Sequence, residues 1–65
     1  MNAFEYYRKK ARLSQQEVAN EIGATQQAVA KWENEQAFPR TDKLRALAKL
    51  YGCTIDDLFT TAEEA

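Results

Sequence analysis

"SQQEVANEIGATQQAVAKWEN", residues 14–34, decides the fold. Ser14 and Glu17 stand three positions apart at its head, the spacing of a capping box in which side chains satisfy free backbone donors reciprocally. Val18, Ala19 and Ile22 follow in helical phase and form a buried stripe. Gly23 ends that helix, because the chain must turn there with positive φ and glycine does so without steric cost. Thr25 caps the next helix, which turns Val29 and Trp32 inward, one helical step apart. Small Ala19 marks the point where the two helices cross closely and a larger side chain would push them apart. Residues 15–34 therefore read as two helices joined by a short turn, a helix-turn-helix.

The rest of the chain is punctuated in the same way. Residues 3–11 form a first helix with Phe4, Tyr7 and Ala11 on one face, capped by Asn2 with Glu5 as reciprocal partner. After the loop "NEQAF" and Pro39, Thr41 caps a fourth helix whose stripe is Leu44, Leu47, Ala48 and Tyr51, with Leu50 beside it, and Gly52 ends it. Thr54 caps a fifth, with Asp57 three residues on and Ile55, Leu58 and Phe59 inward, and residues 60–65 are expected to fray. No segment alternates with period two, and no repeat or linker divides the chain. The fold class is all-α: five short helices in a single domain over residues 1–65.

Composition limits how such a domain is held and where it works. At 65 residues it lies near the lower size limit for folding unaided. Cys53 is the only cysteine and histidine is absent, which excludes an internal disulfide and a zinc site of the usual ligands. Helix packing, helped by a partner subunit, must supply the core. The lone cysteine, the lack of a signal peptide and the lack of an apolar run near the roughly 18 residues of a membrane span point to a cytoplasmic protein. The net charge is −1, but all nine cations lie in residues 1–53 against six acids, while residues 54–65 carry four acids and no cation. Arg8, Lys9, Lys10 and Arg12 cluster at the end of the first helix. Either they complement its dipole or they form a phosphate-facing patch, and one role does not exclude the other.

"LSQQEVANEIGATQQAVAKWEN", the following proline and "LRALAKLYGCTIDDLF" resemble the Cro/λ-repressor-type family of bacterial and phage regulators. The resemblance covers residues 4–59 and implies a five-helix DNA-binding domain whose third helix enters the major groove. Two features depart from it. The family often has glycine where Glu35 stands, so the expectation here is an acid near the DNA backbone and Asn34 in the left-handed conformation. The overall acidity also points either to salt-sensitive DNA binding or to a surface turned toward a protein partner.

Candidate roles follow. Gln27, Ala30, Lys31 and Asn34 cluster opposite Val29 and Trp32, with Gln26 on the flank near the helix start. Glutamine carries a paired donor and acceptor that match the N6/N7 edge of adenine, so Gln26 and Gln27 are base-reading candidates. Lys31 suits guanine or a phosphate, and Ala30 allows close approach and contact with a thymine methyl. The plain alternative is an ordinary polar helix surface. The resemblance assigns Gln15 to the DNA backbone at the head of the second helix. Asn34, Gln36 and Arg40, with Lys43 behind them, flank a possible second phosphate or simply line a surface loop. The resemblance also implies a structural ion pair between Arg8 and Glu33, and makes Cys53 a small buried hydrophobe.

Catalysis has no support, since there is no histidine base, phosphate-cradling glycine loop or carboxylate pair with a cleft. No cofactor and no metal are implied. The function expected is a transcriptional repressor that binds double-stranded DNA as a homodimer on a palindromic operator, joined near the fourth and fifth helices and the C-terminus. The competing class is a protein-interaction module of the same fold, an antitoxin or a partner of another regulator. A chain this short is also compatible with being part of a longer one.

Overall fold

Capping chemistry sets where the helices begin in a computed structural model that describes residues 2–60. The elements run α1 (Phe4–Lys10), α2 (Gln15–Ile22), α3 (Gln26–Glu33), α4 (Thr41–Tyr51) and α5 (Ile55–Leu58). Ser14 Oγ accepts from the Glu17 amide while Glu17 returns its carboxylate to the Ser14 amide, at 3.0 and 2.8 Å. Thr54 and Asp57 repeat this box at α5, with both bonds at 3.0 Å. Thr25 Oγ1 accepts from the Ala28 amide at the head of α3. Each of these caps satisfies donors that the first helical turn leaves open.

Two helix starts differ from the sequence expectation. At α1 the capping position is Ala3, not Asn2, and no reciprocal box with Glu5 forms. Asn2 Oδ1 instead accepts from the Phe4 amide, and its Nδ2 donates to the Trp32 carbonyl, 30 residues away. Glu5 turns to Lys9, 3.1 Å distant, and to Arg8. At α4 the cap is Arg40, whose carbonyl accepts the first helical bond from Leu44, so Thr41 is already inside the helix.

The C-termini share one device. In α1 to α4, an amide reaches back five residues to a carbonyl: Leu13 to Arg8, Ala24 to Ala19, Gln36 to Lys31 and Cys53 to Ala48. That Schellman-type bond closes only if the residue before the donor is left-handed. Gly23 and Gly52 supply this at φ 71° and 69°. Arg12 and Glu35 adopt it at φ 62° although both carry a Cβ. Asn34, expected to be left-handed, has φ −89° and remains in the closing turn of α3. Arg12 is exposed, so Arg12→Gly relieves backbone strain with little else lost. Thermal unfolding of that variant is expected to show a gain of about 0.5–1 kcal/mol, the left-handed penalty less the entropy of glycine; an unchanged or lower Tm would count against strain at this turn.

The helices enclose a core of Phe4, Val18, Ala19, Val29, Trp32, Leu47, Ala48 and Leu58. The Ala3 amide bonds to the Leu58 carbonyl at 2.9 Å, joining the start of α1 to the end of α5. Cys53 packs half-buried against this core, and burial, aided by the Asp57 charge, raises its thiol pKa, as suits a small hydrophobe. Phe59, expected inward, sits at the cap of α5 and is 44% exposed: its ring meets buried Phe4 edge-on, with centroids 5.8 Å apart, and leaves the rest outside. The expected fraying of 60–65 falls almost wholly outside the described residues. No helix among the described residues is long and apolar enough to cross a membrane.

Candidate nucleic-acid interface

The face of α3 turned away from Val29 and Trp32 is polar and open. Gln26, Gln27, Lys31 and Asn34 are exposed, and Ala30 between them is half-buried. Gln36 and Arg40 are exposed on the loop that follows and at the start of α4. Thus the sequence candidates on α3 and its following loop are accessible, and the small Ala30 leaves the middle of the helix low.

Beneath this face lies an ion pair. Arg8 Nε meets Glu33 Oε2 at 2.6 Å and Arg8 Nη2 meets Glu33 Oε1 at 3.2 Å, a two-bonded fork that ties α1 to the end of α3. Arg8 Nη1 also donates to the Leu13 carbonyl at 2.9 Å, bracing the turn after α1. The two side chains are only 11% and 4% exposed. The hydrogen bond to Glu33 raises the Arg8 pKa above its ordinary value despite partial burial. Burial, and then the Glu33 charge, push the nearby Tyr51 phenol well above its usual range as well. Arg8 is therefore a structural cation, unlike Lys9 and Arg12, which lie exposed.

Gln15, assigned by resemblance to the DNA backbone, occupies a more internal station. Its Nε2 donates to Glu33 Oε1 at 2.9 Å, and its Oε1 accepts from Gln26 Nε2 at 2.6 Å. Gln26 and Glu33 are seven residues apart, two helical turns, and so share a stripe of α3. The first residue of α2 thereby joins both ends of α3. Lys43, a further phosphate candidate in the sequence, donates to the Ile22 and Gly23 carbonyls at 2.8 and 3.2 Å. It closes the C-terminal end of α2, where carbonyls lack partners and the dipole favours a cation.

Sequence reasoning did not reach the Gln15–Gln26 bond or the role of Lys43. Both cross between helices, and no local spacing announces either one.

A helix-turn-helix family model matches residues 4–58. The chain belongs to the Cro/λ-repressor-type helix-turn-helix family of transcriptional regulators. In this helix-turn-helix domain α2 and α3 form the motif itself. A solved structure of the P22 c2 repressor protein in complex with a synthetic operator is similar, with a TM-score of 0.82, 28% identity, and coverage of 88% of this chain and 86% of that one. A curated relative, the HTH-type transcriptional activator BcrR of Enterococcus faecalis, is 29% identical over 51 residues. Those residues are 78% of this chain, which spans 25% of the length of that relative.

Proposed function

We propose that this helix-turn-helix domain is a sequence-specific double-stranded DNA-binding regulator that acts as a homodimer on a palindromic operator, with α3 in the major groove of each half-site. The observation that carries this reading is the exposed head of α3. Gln26 and Gln27 stand there in the open, and Gln26 is held by a second amide from α2. A fixed donor–acceptor pair on an exposed helix face suits a base edge, because bidentate contact requires both atoms at set positions. The similarity to a repressor solved with operator DNA supports the same use of this surface.

In this reading Gln26 and Gln27 read adenines, Ala30 admits a thymine methyl, and Lys31 contacts guanine or phosphate. Asn34, Gln36 and Arg40 hold the flanking backbone, and Gln15, with its oxygen and one N–H committed to Gln26 and Glu33, offers a phosphate its second N–H. The Arg8–Glu33 pair neutralises a carboxylate at the end of α3, lowering repulsion toward phosphates while leaving Arg8 out of the contact. Repression is steric: a dimer seated on a promoter occludes it. The dimer contact lies near the α5 end, where Phe38 and Phe59 are 67% and 44% exposed with ring centroids 6.5 Å apart. A bare aromatic pair of this kind favours burial against a second copy.

Selection of random duplex DNA on the purified protein tests the proposal. The expected result is a palindrome with half-sites about 10 base pairs apart, bound with an affinity that falls steeply as salt rises. Enrichment of no motif by a folded protein would defeat it and favour a module that binds protein partners.

A further inference from the structure

We propose that Glu33 is a positioning residue for base recognition: clamped by Arg8, it sets the direction of an amide relay through Gln15 that fixes how Gln26 faces the groove. The proposal rests on the reading of α3 as the base-reading helix.

Each link is forced by the one before it. Arg8 has only donors to give, and it gives two to Glu33. An ionised Glu33 can only accept, so Gln15 must turn its NH2 group toward Oε1, at 2.9 Å. That orientation turns the Gln15 oxygen toward α3. An amide oxygen also only accepts, so Gln26 must answer with its own NH2, at 2.6 Å. Gln26 is left with a carbonyl oxygen and its second N–H for a ligand. An acceptor beside a donor is the complement of adenine N6/N7. The reversed amide would offer two N–H groups, the complement of guanine N7/O6.

The anchor is shielded while the reading end is wet. Glu33 is almost fully buried, whereas Gln26 lies on the surface. A solvent-exposed glutamine amide on its own rotates between both orientations and presents either pattern. The relay removes that freedom by tying the exposed amide to a charge about two helical turns away. Base preference at the Gln26 position therefore depends on a residue that itself reads no base.

Glu33→Gln tests the direction of the relay. Arg8 still only donates, so the introduced amide keeps its oxygen on Arg8 Nε, the shorter bond at 2.6 Å, and turns its NH2 toward Gln15, giving up the 3.2 Å bond from Arg8 Nη2 that shared Oε1 with Gln15. Gln15 then reverses, Gln26 reverses after it, and two N–H groups face the groove. In binding to operator duplexes varied at the base pair facing Gln26, the wild type is expected to favour adenine over guanine by about tenfold. Glu33→Gln is expected to erase or invert that ratio while leaving the preference at the Lys31 position unchanged. Gln15→Met keeps the side-chain length without the amide and spares the buried ion pair, so it serves even if Glu33→Gln folds poorly. It should bring the ratio to within about twofold of unity, since the freed amide presents both patterns. An unaltered adenine preference in folded Gln15→Met overturns the relay while base reading by α3 stands. A Gln26→Ala variant with the wild-type preference would instead remove the base-reading role of Gln26, and the relay with it.

Discussion

Arg8→Met is expected to leave the domain largely unfolded at 37 °C, lowering its Tm by on the order of 20 °C. The fork from Arg8 to Glu33 joins α1 to the end of α3, and the Glu33 side chain is 4% exposed. Removing the guanidinium strands that carboxylate with Gln15 as its only other donor among the described hydrogen bonds. Breaking a buried pair from one side costs about 3–5 kcal/mol. A 65-residue domain has roughly 3–10 kcal/mol of stability in total. The Leu13 carbonyl loses its Arg8 donor in the same change, and with it a brace on the strained turn at Arg12. Removing both charges, in Arg8→Met with Glu33→Leu, should be less damaging than Arg8→Met alone, because no ion is then left without a partner. Thermal unfolding followed by circular dichroism decides the matter: a Tm for Arg8→Met within a few degrees of wild type would mean that this buried pair adds little to stability.

The same residues explain how a short chain without a disulfide holds the exposed helix α3 in place. α3 has only eight residues, and an isolated helix of that length is unstable in water. It is fixed at its start by Thr25 and by the Gln15–Gln26 bond, and at its end by Arg8 and the Gln36–Lys31 turn. Val29 and Trp32 seat its inner face in the core, and Asn2 binds the Trp32 carbonyl. On the proposed function, stability and recognition draw on one set of contacts. A change at Gln15, whatever it does to DNA binding, also removes the bonds to Glu33 and Gln26 that tie α2 to α3.

What the sequence disclosed depended on distance along the chain. The boxes at Ser14–Glu17 and Thr54–Asp57, the Thr25 cap and the left-handed glycines all act over three to five residues, so spacing alone located them. The buried stripe through Val18, Ala19, Val29, Trp32, Leu47 and Leu58 was likewise legible from helical phase. Errors came at junctions. Asn34 has the better propensity for left-handed φ, but the bond from Gln36 to Lys31 demands that conformation at Glu35. Thr41 looked like a cap, yet the first carbonyl of the helix belongs to Arg40. Phe59, at the cap of α5, reaches the core only through an edge contact with Phe4 and stays 44% exposed. On the candidate site, the open polar face of α3 could be read directly, whereas Arg8–Glu33 was reached only through family resemblance. The Gln15–Gln26 and Lys43 contacts could not be read at all, since they depend on how α2, α3 and α4 pack.

The sharpest consequence for DNA reading is expected from Gln26→Ala combined with Gln27→Ala. Neither side chain contributes to the core, and both are exposed, so the fold should persist with unfolding close to wild type. Alanine is also a good helix former, which offsets the loss of the Gln26–Gln15 bond. A bidentate glutamine–adenine contact carries about 1–3 kcal/mol of discrimination, so two of them in a half-site separate the operator from other sequences by roughly 30-fold to 10⁴-fold. In a dimer both half-sites lose it together. The proposed backbone contacts of Asn34, Gln36 and Arg40 are untouched, and nonspecific affinity with its salt dependence should therefore survive. The variant is predicted to bind operator and scrambled duplex alike, at about the strength with which the wild type binds scrambled DNA. Titration of both duplexes at several salt concentrations measures this directly. Retained operator preference in the folded variant would move base reading away from the head of α3, whereas loss of all DNA binding would mean that these amides, and not the phosphate contacts, supply the affinity.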